Sequence, residues 1–474
     1  MMTVLSLLPI VSLLACLVFF RLSAAKSGWI SLVAALVIAL FFFGLPLTGL
    51  SAAVGKAGWL TLFISLIVWG ALFLYHLVSD FGAVDVINRN ITAFVQDGFA
   101  QTILLSWLFS GLLQGMAGFG VPPVIVTPIL ISLGLHPIKS LAAAIIGHSW
   151  AVSFGSMGSA FFVIAGLTNI PTEQLAPAMW IFGAAAILLT GLAVCFIHSG
   201  LAGVVKGIAY ILPVSAVMAA VQYLAIYAGV YSLVSIITAL SGIAAMLVLY
   251  KLRHYKEERR SELRHGDLSL IGAVLPYISI VVLAAVFAFL PIKFFRHPAP
   301  LLLFASTVAV MVYKRAGIWD SGVFRGSVSK TVKKGTAVSI ALLALSNMSL
   351  VMTESGMTHR LADDTARLTG GLYPLFAPFF GVLGSFLTGS NTSSNLLFGT
   401  FQYEIASRLE INTTLMVAVQ SISGSVGVSI GPTLVLMGAI AANQKGKESQ
   451  ILKKLIPIVM LIALVMGVIN YIIG

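Results

Sequence analysis

The sequence predicts an all-α polytopic membrane protein with about 12 transmembrane helices plus two re-entrant hairpins, in two inverted-topology repeats with discontinuous helices. Three observations carry that expectation. Hydrophobic residues form 59% of the 474-residue chain, charged residues only 9%, and the mean hydropathy is +1.05; many apolar runs approach the roughly 20 residues that cross a bilayer as helix. Basic residues gather in the short segments between those runs, as membrane topology requires. Two polar, glycine-rich interruptions recur about half a protein apart inside otherwise lipid-like sequence. Irregular backbone survives at membrane depth only where protein or a water-filled cavity satisfies its N–H and C=O groups. Paired interruptions in the two halves of a membrane protein therefore point to a transport site.

Apolar length places crossings near 3–20, 28–49, 57–77, 140–166, 177–198, 207–227, 230–250, 268–292, 298–313, 335–353, 413–440 and 455–473. The first run lacks a preceding basic region and a small-residue cleavage site, so a retained span is expected rather than a leader. The stretches 101–134 and 373–402 are too long for one span and carry Gly, Pro and Ser breaks at mid-length. Each reads as a hairpin that enters and returns on the same side. Charge checks the count. With the 251–264 loop in the cytoplasm, all basic residues fall inside except Lys56, Lys293, Arg296, Arg360, Arg367 and Arg408. Treating one hairpin as a full crossing puts a basic cluster on the wrong side. Both termini then lie on the extracytoplasmic face of the cell inner (plasma) membrane. The resulting division is an N-terminal two-span segment 1–56 and a first inverted repeat 57–250 containing hairpin 101–134. Basic loops and connecting spans 251–334 follow, then a second repeat 335–474 containing hairpin 373–402.

The formal charge of +12 does not signal nucleic acid, because it is dispersed over loops and topology accounts for it. No polar stretch is long enough for a soluble domain. Cys16 and Cys195 lie in apolar spans and read as small core residues, so no disulfide, metal site or cofactor is expected. The expected partners are a small organic anion, a coupling cation and membrane lipid, with a homodimer as one admissible assembly.

The repeat is visible in the residues. Val78-Ser79-Asp80-Phe81-Gly82 resembles Met352-Thr353-Glu354-Ser355-Gly356; both close a span. An amphipathic stretch follows each (84–98 and 357–369), then a hairpin, then a long glycine-interrupted span. Gly111 pairs with Gly381, Ser149 with Ser421, Ser153 with Ser425 and Gly155 with Gly427. By charge, span 57–77 runs from outside to inside and span 335–353 the opposite way. Inverted repeats suit alternating access, in which one site at their interface faces each side in turn.

A midplane site for a small anion needs positive partial charge without the cost of a buried cation, and helix N-termini supply it. Glycine breaks create such ends, and small hydroxyl and amide groups complete the shell. The candidate substrate-binding residues are Gly118, Gly120, Ser153, Gly155, Ser156, Ser390, Asn391, Thr392, Ser393, Ser394, Asn395, Ser423 and Ser425. An isolated Ser or Thr in a span usually bonds its own helix, but the six polar residues 390–395 cannot all do so. His148 lies in an apolar span, and an intramembrane ionisable group is a functional candidate; Gln420 holds the matching place in the second repeat. With Asn391 they form the candidate proton or ion-coupling set, a structural role for His148 remaining open. Gly111 and Gly115 are expected to serve helix packing, Asp80 and Glu354 to cap the following helix, and Asn347 to be a weak candidate for the wall of the site. No catalytic residues are expected.

Gly118-Phe119-Gly120-Val121-Pro122 and Phe154-Gly155-Ser156-Met157-Gly158 resemble the first unit of the L-lactate permease family. Leu387-Thr388-Gly389-Ser390-Asn391-Thr392-Ser393-Ser394-Asn395-Leu396-Leu397-Phe398-Gly399 resembles its second-unit signature, and Gly446-Lys447-Glu448 its last turn. The resemblance covers most of the chain. It implies a symporter that moves lactate or another 2-hydroxy-monocarboxylate with protons. The chain departs from the family pattern at Asn391, where the family usually has Asp. In 427–433 the family's Gly-Lys-x-Ile-Ser-Pro-Gln loses its lysine, and an Asn-Thr-Ala-Pro-like stretch becomes His148-Ser149-Trp150-Ala151. Protonation could pass to His148, or the polar run could serve sodium in a carboxylate transporter of the same architecture. The alternative of another class, a membrane-embedded lipid-processing enzyme, would need clustered ionisable residues facing a cavity, and these spans supply few.

Overall fold

In the computed structural model, which describes residues 1–20, 22–116, 118, 120–253, 268–288 and 298–474, every regular element is helical. Arg21, Phe119, the basic loop from 254 onward, and the end of the 268–292 span with Lys293 and Arg296 lie outside the described residues. Among the described residues nine helices are long and apolar enough to cross a membrane, or ten counting one pair bent by 53°. Helices stand at every expected crossing, with the two hairpin regions split where the glycines fall. The first consists of Gly98–Met116 followed by Val121–Ser132, the second of Tyr373–Thr388 followed by Asn391–Arg408. Thr172–Tyr227 runs for 56 residues, but Ser199 and Gly200 leave helical geometry and divide it into the two expected crossings.

Two helices are much longer than their apolar cores. Leu47–Asp80 begins ten residues before position 57, and Ser321–Glu354 begins fourteen before position 335. Hydropathy falls at Lys56 and at Lys333 and Lys334, but a lysine stem is apolar and its head can reach a polar boundary, so helix continues through it.

These two helices form an antiparallel seam. Thr61 bonds Ser346 at 2.9 Å, Trp69 Nε1 donates to Ser339 Oγ at 3.0 Å, His76 Nδ1 meets Thr331 Oγ1 at 2.9 Å, and Ser327 donates to Asp80 at 2.7 Å. Residue numbers rise on one helix as they fall on the other. An ion pair closes each end, Lys56–Glu354 at 2.8 Å and Lys330–Asp80 at 2.7 Å. Lys56 and Lys330, like Asp80 and Glu354, are 274 residues apart, so each pair is the image of the other. The residues between Lys56 and Asp80 separate them by about 36 Å at helical rise, close to the bilayer's thickness. Asp80 and Glu354 thus engage across the repeat interface instead of capping the next helix, because a lysine of the other repeat lies within reach of each.

A second antiparallel seam joins the broken spans. Ser429 Oγ donates to the Ile145 carbonyl at 3.3 Å, Ser425 Oγ to the Ser149 carbonyl, and Ser153 Oγ to the Ser421 carbonyl at 2.9 Å. Each step of four along one segment is a step of four back along the other. The last two bonds also exchange under the repeat, since Ser153 is equivalent to Ser425 and Ser149 to Ser421. Such reciprocity marks an approximate two-fold axis. The repeats meet there in opposite directions.

Candidate functional site

Helix ends meet near this seam. Pro137–Gly147 stops at His148, a 3-10 turn follows, and Gly155–Thr168 resumes. Ser156, Met157 and Gly158 take positive φ values of 48°, 57° and 79°, a conformation that non-glycine residues keep only where their surroundings hold it. In the other repeat Thr413–Gly427 ends in a turn and Pro432–Ala441 restarts the helix with proline at its first position, where its missing N–H is harmless. Both hairpin arms approach closely through glycine. A Cβ on Gly427 would stand 2.6 Å from the Val382 Cα, and one on Gly155 would stand 2.9 Å from the Gln114 amide. Gly111 and Gly115 likewise admit Trp150 and Ile236, the expected packing role.

At the second tip, Gly389 turns the chain at φ 69° and Ser390 caps the next helix. The Ser390 N–H donates to Thr388 Oγ1 at 3.3 Å and Ser390 Oγ accepts from the Ser393 N–H at 3.3 Å. The remaining first-turn donors, the N–H groups of Asn391 and Thr392, are the positive end of an 18-residue helix. At the first tip Gly118 and Gly120 have φ 61° and 80°, and a Cβ on Gly118 would strike Ser156 Oγ.

The tips and breaks enclose a cavity of about 240 Å³. Gly120, His148, Ser156, Ser390, Asn391 and Thr392 line it, together with Gln114, Val152, Ser159, Lys334, Gly389, Val428, Thr433, Leu434 and Met437. The other expected residues stand behind this wall. Ser153 accepts from Asn391 Nδ2 at 3.2 Å. Asn395 Nδ2 donates to the Ala160 carbonyl and to Ser421 Oγ, each at 3.0 Å, tying the second hairpin to both broken spans. Ser394 Oγ donates to the Gly381 carbonyl at 2.9 Å and Ser423 Oγ to that of Gln420 at 3.2 Å; Ser425 belongs to the seam. Gln420 sits in a closed chain inside the second hairpin: it accepts from Gln402 at 3.1 Å and donates to Ser394 Oγ at 3.2 Å, while Tyr373 donates to Gln402 at 2.7 Å. Asn347 bonds its own helix at Leu343.

His148 is 1% exposed, and its Nδ1 lies 3.0 Å from the Ala144 carbonyl. A carbonyl can only accept, so Nδ1 carries a proton and Nε2 is the ring atom that can gain or release one. Asn391 Oδ1 and Ser385 Oγ are buried without a hydrogen-bond partner. With Ser394 Oγ they converge on Gly424, where both serine oxygens stand 3.3 Å from the place a Cβ would occupy.

Sequence reasoning missed Gln114, Thr433 and Lys334. Lys334 read as one of a loop cluster, yet it lies inside the Ser321–Glu354 helix. A second cavity, about 670 Å³, lies beside the Lys56–Glu354 pair; Leu60, Phe162 and Ala165 line it, the positions equivalent to Lys334, Leu434 and Met437.

The pattern of the L-lactate permease family matches residues 2–312 and 268–474. Among similar proteins, an L-lactate permease of Streptococcus iniae is 27% identical, covering 88% of this chain and 93% of its own. The glycolate permease GlcA of Escherichia coli is 26% identical, covering 98% and 94%. An L-lactate permease of Bacillus subtilis is 25% identical, covering 94% and 91%. The crystal structure of the Alcanivorax borkumensis YdaH transporter, described as having an unusual topology, shares the fold at a TM-score of 0.52. It is 16% identical and covers 89% of this chain and 86% of its own. With the family pattern spanning nearly the whole sequence, this multi-pass membrane protein is a divergent member of the L-lactate permease family.

Proposed function

We propose that the protein is a secondary symporter for a small 2-hydroxy-monocarboxylate, lactate or glycolate, coupled to protons and working by alternating access. The observation that carries this reading is the cavity at the repeat interface, which the N-terminal end of Asn391–Arg408, Lys334 and His148 all line. That lining offers positive potential for a carboxylate, small polar groups for a hydroxyl and one ring able to take a proton. The exchanged hydrogen bonds of the broken spans, and a second cavity at equivalent positions beyond them, support a site exposed to one side and then the other. The homologous permeases support the substrate class.

A second reading, sodium coupling, is favoured by one feature: three uncharged oxygens, of Ser385, Asn391 and Ser394, meet at Gly424, and hard cations take oxygen ligands. Uptake of labelled lactate and glycolate into proteoliposomes, under separately imposed proton and sodium gradients, decides between the two. Accumulation under the proton gradient alone is expected. Accumulation only under sodium selects the second reading, and accumulation under neither refutes both.

A further inference from the structure

We propose that Lys334 supplies the charge that binds the substrate's carboxylate and limits the site to anions with one carboxylate group; this rests on the monocarboxylate reading above. Among the described residues Lys334 is the only charged side chain lining the 240 Å³ cavity. It enters from Ser321–Glu354 one turn past Lys330, whose ammonium is held by Asp80 at 2.7 Å. That turn is fixed in place: Thr331 meets His76 at 2.9 Å and Gly335 lies against the Trp69 ring.

The internal two-fold gives the two lysines different counterparts. Lys330 has Lys56 as its image, and both close equivalent ion pairs. Lys334 has Leu60 as its image, an apolar residue lining the other cavity. The positive charge is therefore built on one side only, in the cavity that the hairpin tip lines. A carboxylate reaching that cavity meets a cation and the N–H groups of Asn391 and Thr392, in surroundings where such attraction is weakly screened. The rest of the lining mixes Val152, Val428, Leu434 and Met437 with uncharged polar groups such as Gln114 and Thr433, and among the described residues it offers no second cation. A second carboxylate would be desolvated without an opposite charge, which is costly.

Calorimetry with the purified full chain in detergent tests this, using L-lactate, glycolate, malate and the neutral isostere L-lactamide. Lys334→Met should weaken lactate and glycolate at least about 30-fold, the cost of truncating one partner of a buried charge pair. It should leave weak lactamide binding unchanged. Lys334→Arg should restore lactate affinity to within about fivefold, and Lys333→Met, an exposed neighbour, should change nothing. Wild-type affinity for lactate in Lys334→Met, equal losses for lactate and lactamide, or tight malate binding by the wild type would each overturn the proposal. Failure of the transport reading would look different: the wild type would bind lactate through Lys334 yet not move it into vesicles. A wild type that binds neither anion overturns both.

Discussion

The seam between the broken spans makes a quantitative prediction, because two neighbouring serines use different atoms to build it. Ser425 engages with its side chain, donating to the Ser149 carbonyl and accepting from the Ser153 N–H at 3.1 Å. Ser421 engages with its backbone carbonyl, which accepts from Ser153 Oγ at 2.9 Å; its hydroxyl only receives Asn395, which also donates to Ala160. All of Ser149, Ser153, Ser421 and Ser425 are 0% exposed. Alanine at 425 removes two bonds, each worth about 1 kcal/mol net in proteins generally and about 0.6 kcal/mol on average within membranes. It also strands the buried Ser153 N–H, at about 1–3 kcal/mol. The expected loss is about 2–5 kcal/mol.

Alanine at 421 keeps the carbonyl and leaves Asn395 one acceptor, so the expected loss is about 0.5 kcal/mol. Unfolding in mixed detergent micelles containing dodecyl sulfate, followed by tryptophan fluorescence, measures both variants against the wild type. Both residues are buried serines one helical turn apart on the same helix, so composition and hydropathy predict equal effects. Equal losses, or a larger loss for Ser421→Ala, would refute the antiparallel seam.

Gly427→Ala places a methyl 2.6 Å from the Val382 Cα, a backbone atom that cannot turn aside; overpacking should cost about 1–3 kcal/mol or more, visible in the same unfolding assay. Gly371→Ala meets nothing within 4 Å and should unfold like the wild type. His148→Gln should retain lactate counterflow but lose accumulation driven by a proton gradient; an unchanged pH dependence of uptake would remove His148 as the proton carrier. The paired lysines are more than half exposed, at 61% and 58%, so Lys56→Ala and Lys330→Ala should each cost less than about 1 kcal/mol, and less still in high salt. A large or strongly unequal loss would contradict their equivalence.

The fold was largely legible because lipid imposes simple rules. Apolar length located the crossings, and the glycines at 118, 120 and 389 located the hairpin turns, since no other residue takes their positive φ freely. The pairing of Ser149 with Ser421 and Ser153 with Ser425 was also legible, as spacing. What they do was not, because a hydrogen bond to a backbone carbonyl leaves no complementary residue to read. The lining of the candidate cavity was half legible. The run 390–395 announced a polar tip, but sequence could not say that Asn391 and Thr392 face the cavity while Ser394 and Asn395 turn inward to brace it. Lys334 was hidden by its company: beside Lys330 and Lys333 it resembled a loop charge, and only the helix that continues through it carries it into the wall.

Asn391, Val428, Thr433 and His148, four of the positions at which the sequence departs from the motifs it resembles, line the same cavity. Among the described residues Lys334 is the charged side chain of that lining. On the proposed reading, the empty cavity carries one positive charge and a bound monocarboxylate neutralises it. A proton on His148 restores the single charge, so loaded and empty forms cross the bilayer with equal electrostatic cost. Transport of the anion alone would move one net charge in each cycle, whereas the anion with a proton moves none. Under proton coupling, therefore, the lactate gradient that wild-type vesicles reach at a fixed pH gradient should be insensitive to membrane potential. In His148→Gln lactate should instead distribute according to the potential, and a potassium–valinomycin clamp measures both. A potential-dependent lactate gradient in the wild type would exclude this charge balance.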